Sequence, residues 1–252
     1  MTSIWEDPVR SLAKAELFIQ HAAASNADII CFPEQFATGW DPHATTNIED
    51  PDSRIIPALQ KYARTSGIAI LGSFRERFTP CPRNTAIAIG SDGRILASYA
   101  KIHLFSPGDE NSGFAPGTDL ALFPLDPLTC GIAICYDLRF PELFSAYARR
   151  GAEVVFVPAA WPASRIRHWE LFIQARAAEN QLYVAGVNTT GKNPVDAYAG
   201  SSMVADPHGC IISRANDTEQ LLFADLDPAL VDSARTSLPV RNDRKDHIYQ
   251  RL

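Results

Sequence analysis

The chain has 252 residues and a formal net charge of -6, with 46% hydrophobic and 21% charged residues. This composition is ordinary for a globular protein, and the negative charge gives no support to nucleic-acid binding, which usually shows as clustered Lys and Arg. No apolar run reaches the roughly 18–20 residues of a membrane helix, and the N-terminus carries charges where a secretory signal would be apolar, so we expect a cytoplasmic protein with neither a nucleic-acid nor a membrane partner.

The first half of the chain alternates helical and strand patterns. Apolar residues at roughly helical spacing predict helices over 8–25 and 54–66. Nearly continuous apolar runs predict buried strands over 27–34 and 67–74. Two β-rich runs around an Asp-Gly turn predict a hairpin over 84–101.

The second half repeats this arrangement. The patterns predict, in order, a strand over 128–137, a helix over 141–151, a strand over 152–161, a helix over 167–180, a strand over 181–188, a hairpin over 201–215 and a strand over 221–227. The last stretch, 237–252, is polar and mixed in charge, and we interpret it as a C-terminal arm.

Both halves therefore run strand, helix, strand and then a hairpin with a glycine-containing turn. Two such units predict an α/β fold, a four-layer α-β-β-α sandwich in which two mixed sheets pack face to face. We expect residues 1–252 to form a single domain, because no linker-like stretch divides the chain. A single doubly wound sheet is the alternative, and the hairpins count against it.

The cysteine pattern argues against a disulfide framework, because the count of five is odd and the residues are not tightly clustered. No Cys-x-x-Cys or Cys–His ligand spacing occurs, so a structural zinc is not expected. We expect most of these thiols to be reduced, buried and inert, since a free cysteine behaves as a small hydrophobe.

Three predicted strands end in groups of complementary chemistry. The strand DIICFPE ends at Glu34, RILASYAK ends at Lys101, and CGIAIC ends at Cys135. Reactive groups gather at the carboxyl ends of strands in open α/β folds. A carboxylate accepts a proton, an ammonium stabilises an oxyanion and a thiol attacks an acyl carbon. Taken singly, each residue is better explained as a surface acid, a solvated lysine or a buried cysteine.

Cys135 has further support from its position at a predicted strand-to-helix junction. The N-terminal amides and dipole of the following helix would favour a thiolate, and the backbone N–H of Tyr136 would face a developing oxyanion. The alternative interpretation is a side chain that fills the core at the end of an apolar strand. The local sequence does not distinguish a reactive Cys135 from one that only fills the core.

Several segments resemble the nitrilase superfamily of carbon–nitrogen hydrolases. FPEQF (32–36), YAKIHLF (99–105) and CGIAICYDLRFPEL (130–143) resemble its three signature regions. Segments 168–188 and 201–212 are similar to its downstream regions. The similarity runs in order over nearly the whole chain, so it is specific.

The resemblance implies an α-β-β-α sandwich with a triad formed here by Glu34, Lys101 and Cys135. It also implies a second glutamate in the loop before the cysteine strand, a place that Glu110 matches, and assembly into a homodimer or a higher homo-oligomer. Members usually begin with a strand beside the FPE strand, whereas this sequence opens at about the following loop. We therefore expect either that the first strand is missing or that Met1 is not the natural start.

The resulting hypothesis is an amidase that uses no metal and no organic cofactor. Glu34 takes the proton of Cys135, whose sulfur attacks the carbonyl of a small amide, while Lys101 and the Tyr136 N–H hold the oxyanion. Ammonia leaves, and water activated by Glu34 hydrolyses the acyl-thioester. Glu110 would orient Lys101 or the substrate.

Two alternatives remain open at this stage. One is a Cys-His dyad in which His103 or His168 is the base, although a hydrogen-bonded structural role explains both histidines more simply. The other is a binding or scaffold protein on the same fold, in which Cys135 is inert.

The segment WPASRIRHWELF (161–172) is most similar to the omega-amidase branch, whose substrates are monoamides of 2-oxo dicarboxylic acids such as 2-oxoglutaramate. Such a substrate needs a cation for its distant carboxylate, and Arg139, Arg165 and Arg167 are candidates by type, although a surface or interhelical ion pair explains any single one of them better. The expected pocket walls are Phe36, Trp40 and Trp161, and core packing explains these aromatic residues nearly as well. An N-carbamoyl amino acid or amine, or a peptide-like amide, is the alternative substrate, and a nitrile is less favoured.

Overall fold

Two large β-sheets form the centre of the structure, a computed structural model that describes residues 1–249. The strands are β1 (Ile29–Cys31), β2 (Ala69–Glu76), β3 (Arg83–Ile89), β4 (Ile95–Ala100), β5 (Leu122–Leu125), β6 (Leu128–Ile132), β7 (Val154–Ala159), β8 (Tyr183–Asn188), β9 (Thr190–Lys192), β10 (Ala197–Ala199), β11 (Met203–Ala205) and β12 (Ile211–Arg214). The first sheet has the order β1-β2-β3-β4 and the second the order β12-β11-β8-β7-β6-β5, while β9 and β10 form a separate ribbon. Both large sheets are mixed, because β1–β2 and β6–β7–β8 are parallel and the other pairs are antiparallel.

The helices lie before, between and after the strands along the chain. They are α1 (Pro8–Ala24), α2 (Ile55–Ser66), α3 (Glu110–Gly113), α4 (Pro141–Arg149), α5 (Ile166–Asn180), α6 (Pro228–Ser237), α7 (Val240–Asp243) and α8 (Asp246–Tyr249). Asp7 caps α1 by accepting a hydrogen bond from the Arg10 N–H, and Gly67, with φ 70°, ends α2 in the left-handed conformation that glycine adopts easily. Among residues 1–249, none of the helices has both the length and the apolar character needed to cross a membrane.

The alternation of side chains along β3 defines the layers. Ile87 and Ile89 point to one face of the first sheet and join a core with the apolar residues of α1 and α2. Ala86 and Ala88 point to the other face and join a core that contains the inner side chains of the second sheet, such as Ile132. Apolar residues of α4 and α5 cover the outer face of the second sheet. The predicted four-layer α-β-β-α sandwich is therefore confirmed.

The elements absent from the sequence prediction include β5, the β9–β10 ribbon, α3 and α6. The strand β5 contains Pro124 and lies at the edge of its sheet, where a missing N–H breaks no ladder. The ribbon strands are only three residues each, too short to show a period-2 pattern.

The predicted strand over 221–227 is wrong. This segment has no strand partner in the described structure. It lines one wall of a hollow of about 560 Å³, and β1 lies on another wall. A strand exists only where a neighbour lies within hydrogen-bonding distance, and here the hollow separates the segment from the open edge of β1.

The C-terminal arm predicted over 237–252 is only partly described. The helix α6 ends at Ser237, and the one-turn helices α7 and α8 follow it. Residues 250–252 lie outside the described residues.

Candidate active site

Three segments that leave the strands bring an acid, an amine and a sulfur together. Glu34 lies three residues beyond β1, Lys101 directly follows β4, and Cys135 lies three residues beyond β6. All three are buried, with 2%, 1% and 8% of their surface exposed. Two of the predicted strands were therefore too long, since Glu34 and Cys135 lie in the turns that follow them.

Lys101 forms two buried ion pairs. Its Nζ lies 2.8 Å from Glu34 Oε1 and 2.8 Å from Glu110 Oε2. Burial by itself would lower the pKa of Lys101, but the charges of Glu110 and Glu34 outweigh burial and raise that pKa. The lysine is consequently an ammonium ion held between two carboxylates.

Glu110 begins α3 and is fully buried. Its Oε2 accepts a hydrogen bond of 2.7 Å from the Phe105 N–H, and its Oε1 accepts from Trp40 Nε1 at 3.2 Å and from Asn84 Nδ2 at 3.1 Å. Burial would raise the pKa of Glu110, but the charge of Lys101 and these hydrogen bonds lower it overall. With all its neighbours in place, Glu110 is an anion that positions the lysine.

The carboxylate of Glu34 is held from two sides. Its Oε2 accepts a hydrogen bond of 2.9 Å from the Ala160 N–H, and its Oε1 accepts one of 2.8 Å from Asn84 Nδ2. Asn84 thereby bridges Glu34 and Glu110. Asn84 was not among the predicted site residues, although a polar amide within the buried run of β3 was a usable signal. The hairpin places it correctly, because the Lys101 N–H donates to the Asn84 carbonyl at 2.8 Å.

Cys135 occupies a strained position, with φ 45° at the start of a 3₁₀ turn over 135–139. Burial raises the pKa of its thiol, the charge and hydrogen bond of Glu34 raise it further, and Lys101 offsets only part of this. The expectation that a helix N-terminus favours a thiolate is therefore wrong. The helix α4 begins only at Pro141, six residues later, so its amides do not face the sulfur.

The turn that carries Cys135 is supported by the buried carboxylate of Asp137. Its Oδ2 accepts hydrogen bonds from the Ile134 N–H at 2.9 Å and from the Tyr99 hydroxyl at 2.8 Å. Its Oδ1 accepts one from the His103 N–H at 2.9 Å. Asp137 ties β4 of the first sheet to the turn that follows β6 of the second. Beyond the residue type, no sequence pattern indicated this role.

The two histidines that could have served as a base are placed elsewhere. His103 Nδ1 lies 2.8 Å from Asp137 Oδ1, and its ring stacks on Phe140 at 3.7 Å. His168 Nδ1 lies 3.5 Å from an Arg139 nitrogen. Within the described residues, neither histidine lines the hollow at Cys135. The Cys-His dyad is therefore disfavoured.

A small hollow lies over the sulfur of Cys135. Six of the residues that line it are Lys101, Cys135, Tyr136, Arg139, Trp161 and Arg165. The Arg139 guanidinium lies 4.7 Å from the centre of the Trp161 ring, and that of Arg165 lies 5.5 Å from the centre of the Phe105 ring. Neither arginine forms a salt bridge with residues 1–249. Burial, with a contribution from Arg165, lowers the pKa of Arg139.

Two residues expected at the pocket lie away from it. Phe36 is fully buried, stacks on Phe32 at 4.8 Å and belongs to the core beneath the first sheet. The tight turn at Gln35, with φ 47°, directs Phe36 away from the side on which Glu34 lies. Arg167 is exposed and does not line the hollow. Trp40, by contrast, is a wall residue as expected.

Comparisons with known proteins give a consistent result. The family model described as "Carbon-nitrogen hydrolase" matches residues 1–236. The 2-oxoglutaramate amidase of Bacillus subtilis is 35% identical over 244 residues, which cover 96% of this chain and 94% of that protein. Omega-amidase NIT2-B of Xenopus laevis is 33% identical over 258 residues, which cover 96% of this chain and 92% of that protein. A CN-hydrolase superfamily protein from Xanthomonas campestris, whose crystal structure has an arsenic adduct in the active site, superposes with a TM-score of 0.90 and 27% identity, covering 97% of this chain and 94% of that one.

Proposed function

Since the chain belongs to the carbon–nitrogen hydrolase family and is an amide-hydrolysing enzyme, we propose that it is an omega-amidase. Its substrate would be the monoamide of a short 2-oxo dicarboxylic acid, such as 2-oxoglutaramate. The observation that carries this proposal is the buried arrangement of Glu34, Lys101, Glu110 and Cys135 beneath a hollow with two arginines that form no salt bridge with the described part of the chain.

The reaction begins with a neutral thiol. Burial and Glu34 raise the pKa of Cys135, so the sulfur needs a base as it attacks. Glu34 is that base, because its carboxylate lies within the same buried cluster and its charge acts on the thiol. The proton moves from sulfur to Glu34 while the sulfur forms a bond to the amide carbon.

The negative charge that develops on the carbonyl oxygen requires donors already in place. Lys101 supplies an ammonium whose position is set by Glu34 and Glu110. The Tyr136 N–H supplies a second donor, because the second residue of a 3₁₀ turn has no acceptor inside that turn. Collapse of the tetrahedral intermediate transfers the proton from Glu34 to the leaving nitrogen and releases ammonia.

The acyl-thioester on Cys135 is then hydrolysed. Glu34 removes a proton from water, the water oxygen bonds to the acyl carbon, and the C–S bond breaks. Glu34 returns its proton to the sulfur, so the enzyme regains its starting state. The leaving acid is the dicarboxylate that corresponds to the monoamide.

The two arginines support an anionic substrate. Arg139 is partly buried by the aromatic rings of Trp161 and Phe172, which lie 4.7 and 5.4 Å from its guanidinium carbon. A guanidinium held on aromatic rings without an acidic partner binds a planar carboxylate in a bidentate manner. Arg165 lies close enough to Arg139 to lower its pKa, so a bound anion relieves the repulsion between them.

An ammonia-release assay tests the proposal. The panel consists of 2-oxoglutaramate, glutamine, butyramide, an N-carbamoyl amino acid and a nitrile. We expect kcat/KM to be highest for 2-oxoglutaramate. Arg139→Gln should raise its KM about tenfold or more, with little change for butyramide, which has no carboxylate. A higher kcat/KM for butyramide, or an equal effect of the variant on both amides, would contradict the assignment of the substrate.

Cys135→Ala is the control for chemistry at the sulfur. It should abolish ammonia release from every amide of the panel, because no acyl-thioester can form. Turnover that persists in this variant would exclude the proposed route.

A homodimer and a cytoplasmic location complete the proposal. A dimer is supported by exposed apolar side chains on neighbouring elements, Leu171 of α5 and Ile212 of β12. The compartment is supported by five free cysteines, a pattern more usual in reducing compartments. Light scattering on the purified protein tests the dimer, and cell fractionation tests the compartment.

A further inference from the structure

The hydroxyl of Tyr198 is a buried polar group that the reaction as described does not use. Tyr198 lies in β10 with only 6% of its surface exposed. Its hydroxyl has no hydrogen-bond partner of good geometry in residues 1–249. Asn193 is close enough to offset part of the rise that burial causes in the pKa of Tyr198. A buried hydroxyl without a partner destabilises the folded chain, so its retention points to a ligand.

Tyr198 lies beside the carboxylate cluster. It packs with Trp40 and Ala160 in a small apolar group. Both neighbours position carboxylates of the site, since Ala160 donates its N–H to Glu34 and Trp40 donates its indole N–H to Glu110. A backbone bridge between Tyr198 and Pro162 keeps β10 against this segment.

A second hollow adjoins Tyr198 and Glu34. Both residues line it, together with Trp40, which also lines the hollow over Cys135. Trp40 thus borders both spaces, one at the sulfur and one at the base. The second space is small, and its lining includes Thr189 and Asn193, so it is polar enough to hold water.

We propose that Tyr198 positions the hydrolytic water that Glu34 activates in the second half of the reaction. This inference rests on the proposed function. The Tyr198 hydroxyl donates a hydrogen bond to the water oxygen, and Glu34 accepts one of the water protons. The remaining hydroxide bonds to the acyl carbon, the C–S bond breaks, and the proton held by Glu34 passes to the sulfur. Tyr198 itself neither gains nor loses a proton, so it is a positioning residue.

The test separates the two half-reactions with p-nitrophenyl acetate, an acyl donor that does not depend on which amide is the substrate. Its burst of p-nitrophenol reports acylation, and the following steady rate reports hydrolysis of the acetyl-enzyme. In Tyr198→Phe we expect an unchanged burst amplitude and a burst rate within about twofold of the original. The steady rate should fall about tenfold.

Hydroxylamine provides a second readout that a merely structural role would not change. It attacks the acetyl-thioester without a positioned water, so Tyr198→Phe should raise the ratio of acetohydroxamate to acetate. Tyr183→Phe is the matched control, because it removes another buried tyrosine hydroxyl, bonded to the Asp227 carbonyl at 3.1 Å and remote from Glu34. It should change neither the steady rate nor the ratio.

The outcomes distinguish this inference from the proposed function. A burst and a steady rate that slow equally in Tyr198→Phe, or an unchanged hydroxamate ratio, would overturn the role of Tyr198 alone. Formation of neither p-nitrophenol nor acetohydroxamate by the unmodified protein would overturn both proposals, because no acyl group would then form on Cys135.

Discussion

Cys135 combines a strained backbone with a thiol that stays protonated at neutral pH. The φ of 45° costs roughly 1–3 kcal/mol, and the surrounding turn stores this strain. Burial raises the pKa of the thiol, and the adjacent Glu34 raises it more than Lys101 lowers it. The site therefore differs from thiolate sites at helix N-termini, in which the sulfur is ionised before substrate arrives.

The first prediction concerns the titration of Cys135. Because the folded pKa is raised, alkylation by iodoacetamide should be slow at pH 7 and should rise with pH without a plateau at the value of about 8.5 expected of a free thiol. Glu34→Gln removes a negative charge and leaves the charge of Lys101 less compensated. The alkylation profile of this variant should shift to lower pH.

The measurement needs a background in which Cys31, Cys81 and Cys210 are replaced by serine, because these three cysteines are less buried than Cys130 and Cys135. Peptide mass spectrometry then follows Cys135 alone. If Glu34→Gln and the unmodified protein give the same alkylation profile, the coupling between Glu34 and Cys135 is contradicted.

At the scale of elements, the 3₁₀ turn over 135–139 depends on a carboxylate inside it. Asp137 accepts hydrogen bonds from the first sheet, through the Tyr99 hydroxyl, and from its own turn, through the Ile134 N–H. It is fully buried. The geometry of the sulfur is thus set by a contact between sheets and only in part by the local sequence.

The second prediction is that Asp137→Asn loses both stability and acylation. The amide group would turn a donor toward at least one existing donor, leaving it unsatisfied at a cost of about 2 kcal/mol in the free energy of unfolding. The burst rate with p-nitrophenyl acetate should also fall. Urea denaturation and stopped-flow absorbance measure the two effects.

Asp206→Asn is the matched control for that variant. Asp206 is also buried and accepts hydrogen bonds of 2.9 Å from the His208 and Cys210 N–H groups, but in the turn between β11 and β12. The Asp206→Asn substitution should lower the free energy of unfolding and leave the burst rate unchanged. A burst rate that falls equally in both variants would indicate a general loss of folding.

The third prediction concerns the packing of α5 on β8. A Cβ at Gly186 would lie 2.4 Å from Ile173 Cδ1 and 2.6 Å from Trp169 Cζ2. Gly186→Ala should therefore lower the free energy of unfolding by about 1–3 kcal/mol. Ile173→Val removes the nearest atom, so the double variant should lose less than the sum of the two single changes. If urea denaturation shows that the two losses of unfolding free energy simply add, the contact between residues 173 and 186 is not the cause of the destabilisation.

At the scale of the whole molecule, the two sheets share one core. Side chains of β2, β3 and β4, among them Leu71 and Tyr99, belong to the same buried cluster as the strands of the second sheet. The site lies at one end of this contact, since Lys101 comes from the first sheet and Cys135 from the second. The large hollow lies elsewhere, between the open edge of β1 and residues 220–226.

The fourth prediction is that the chain unfolds in one cooperative transition. Ile87→Ala, in the core between the first sheet and its helices, should lower the free energy of unfolding by about 2–5 kcal/mol. Far-UV circular dichroism and tryptophan fluorescence should show the same shifted midpoint. Trp161 and Trp169 report on the second sheet. If the fluorescence midpoint of Ile87→Ala equals that of the unmodified protein, the two sheets unfold as independent units.

Much of the architecture follows from the sequence because its determinants are local. Period-2 and period-3.6 patterns predicted the central strands, the longer helices and both hairpins, and therefore the sandwich. The approximate place of Glu34, Lys101 and Cys135 at strand ends also followed, since parallel strands bring their carboxyl ends to one edge. Where the pattern was short or interrupted, as at β5, β10 and 221–227, the prediction failed.

Only the tertiary structure decided how those side chains are held and charged. Asn84, Asp137 and the Ala160 N–H act on partners far away in the sequence, and no local pattern encodes such a contact. The same holds for the raised pKa of Cys135, which depends on burial and on Glu34 rather than on the helix that follows it. Residue type and spacing determined which groups the chain could offer for chemistry; distance and dielectric surroundings, which exist only in the folded chain, decided which of them meet and which carry charge.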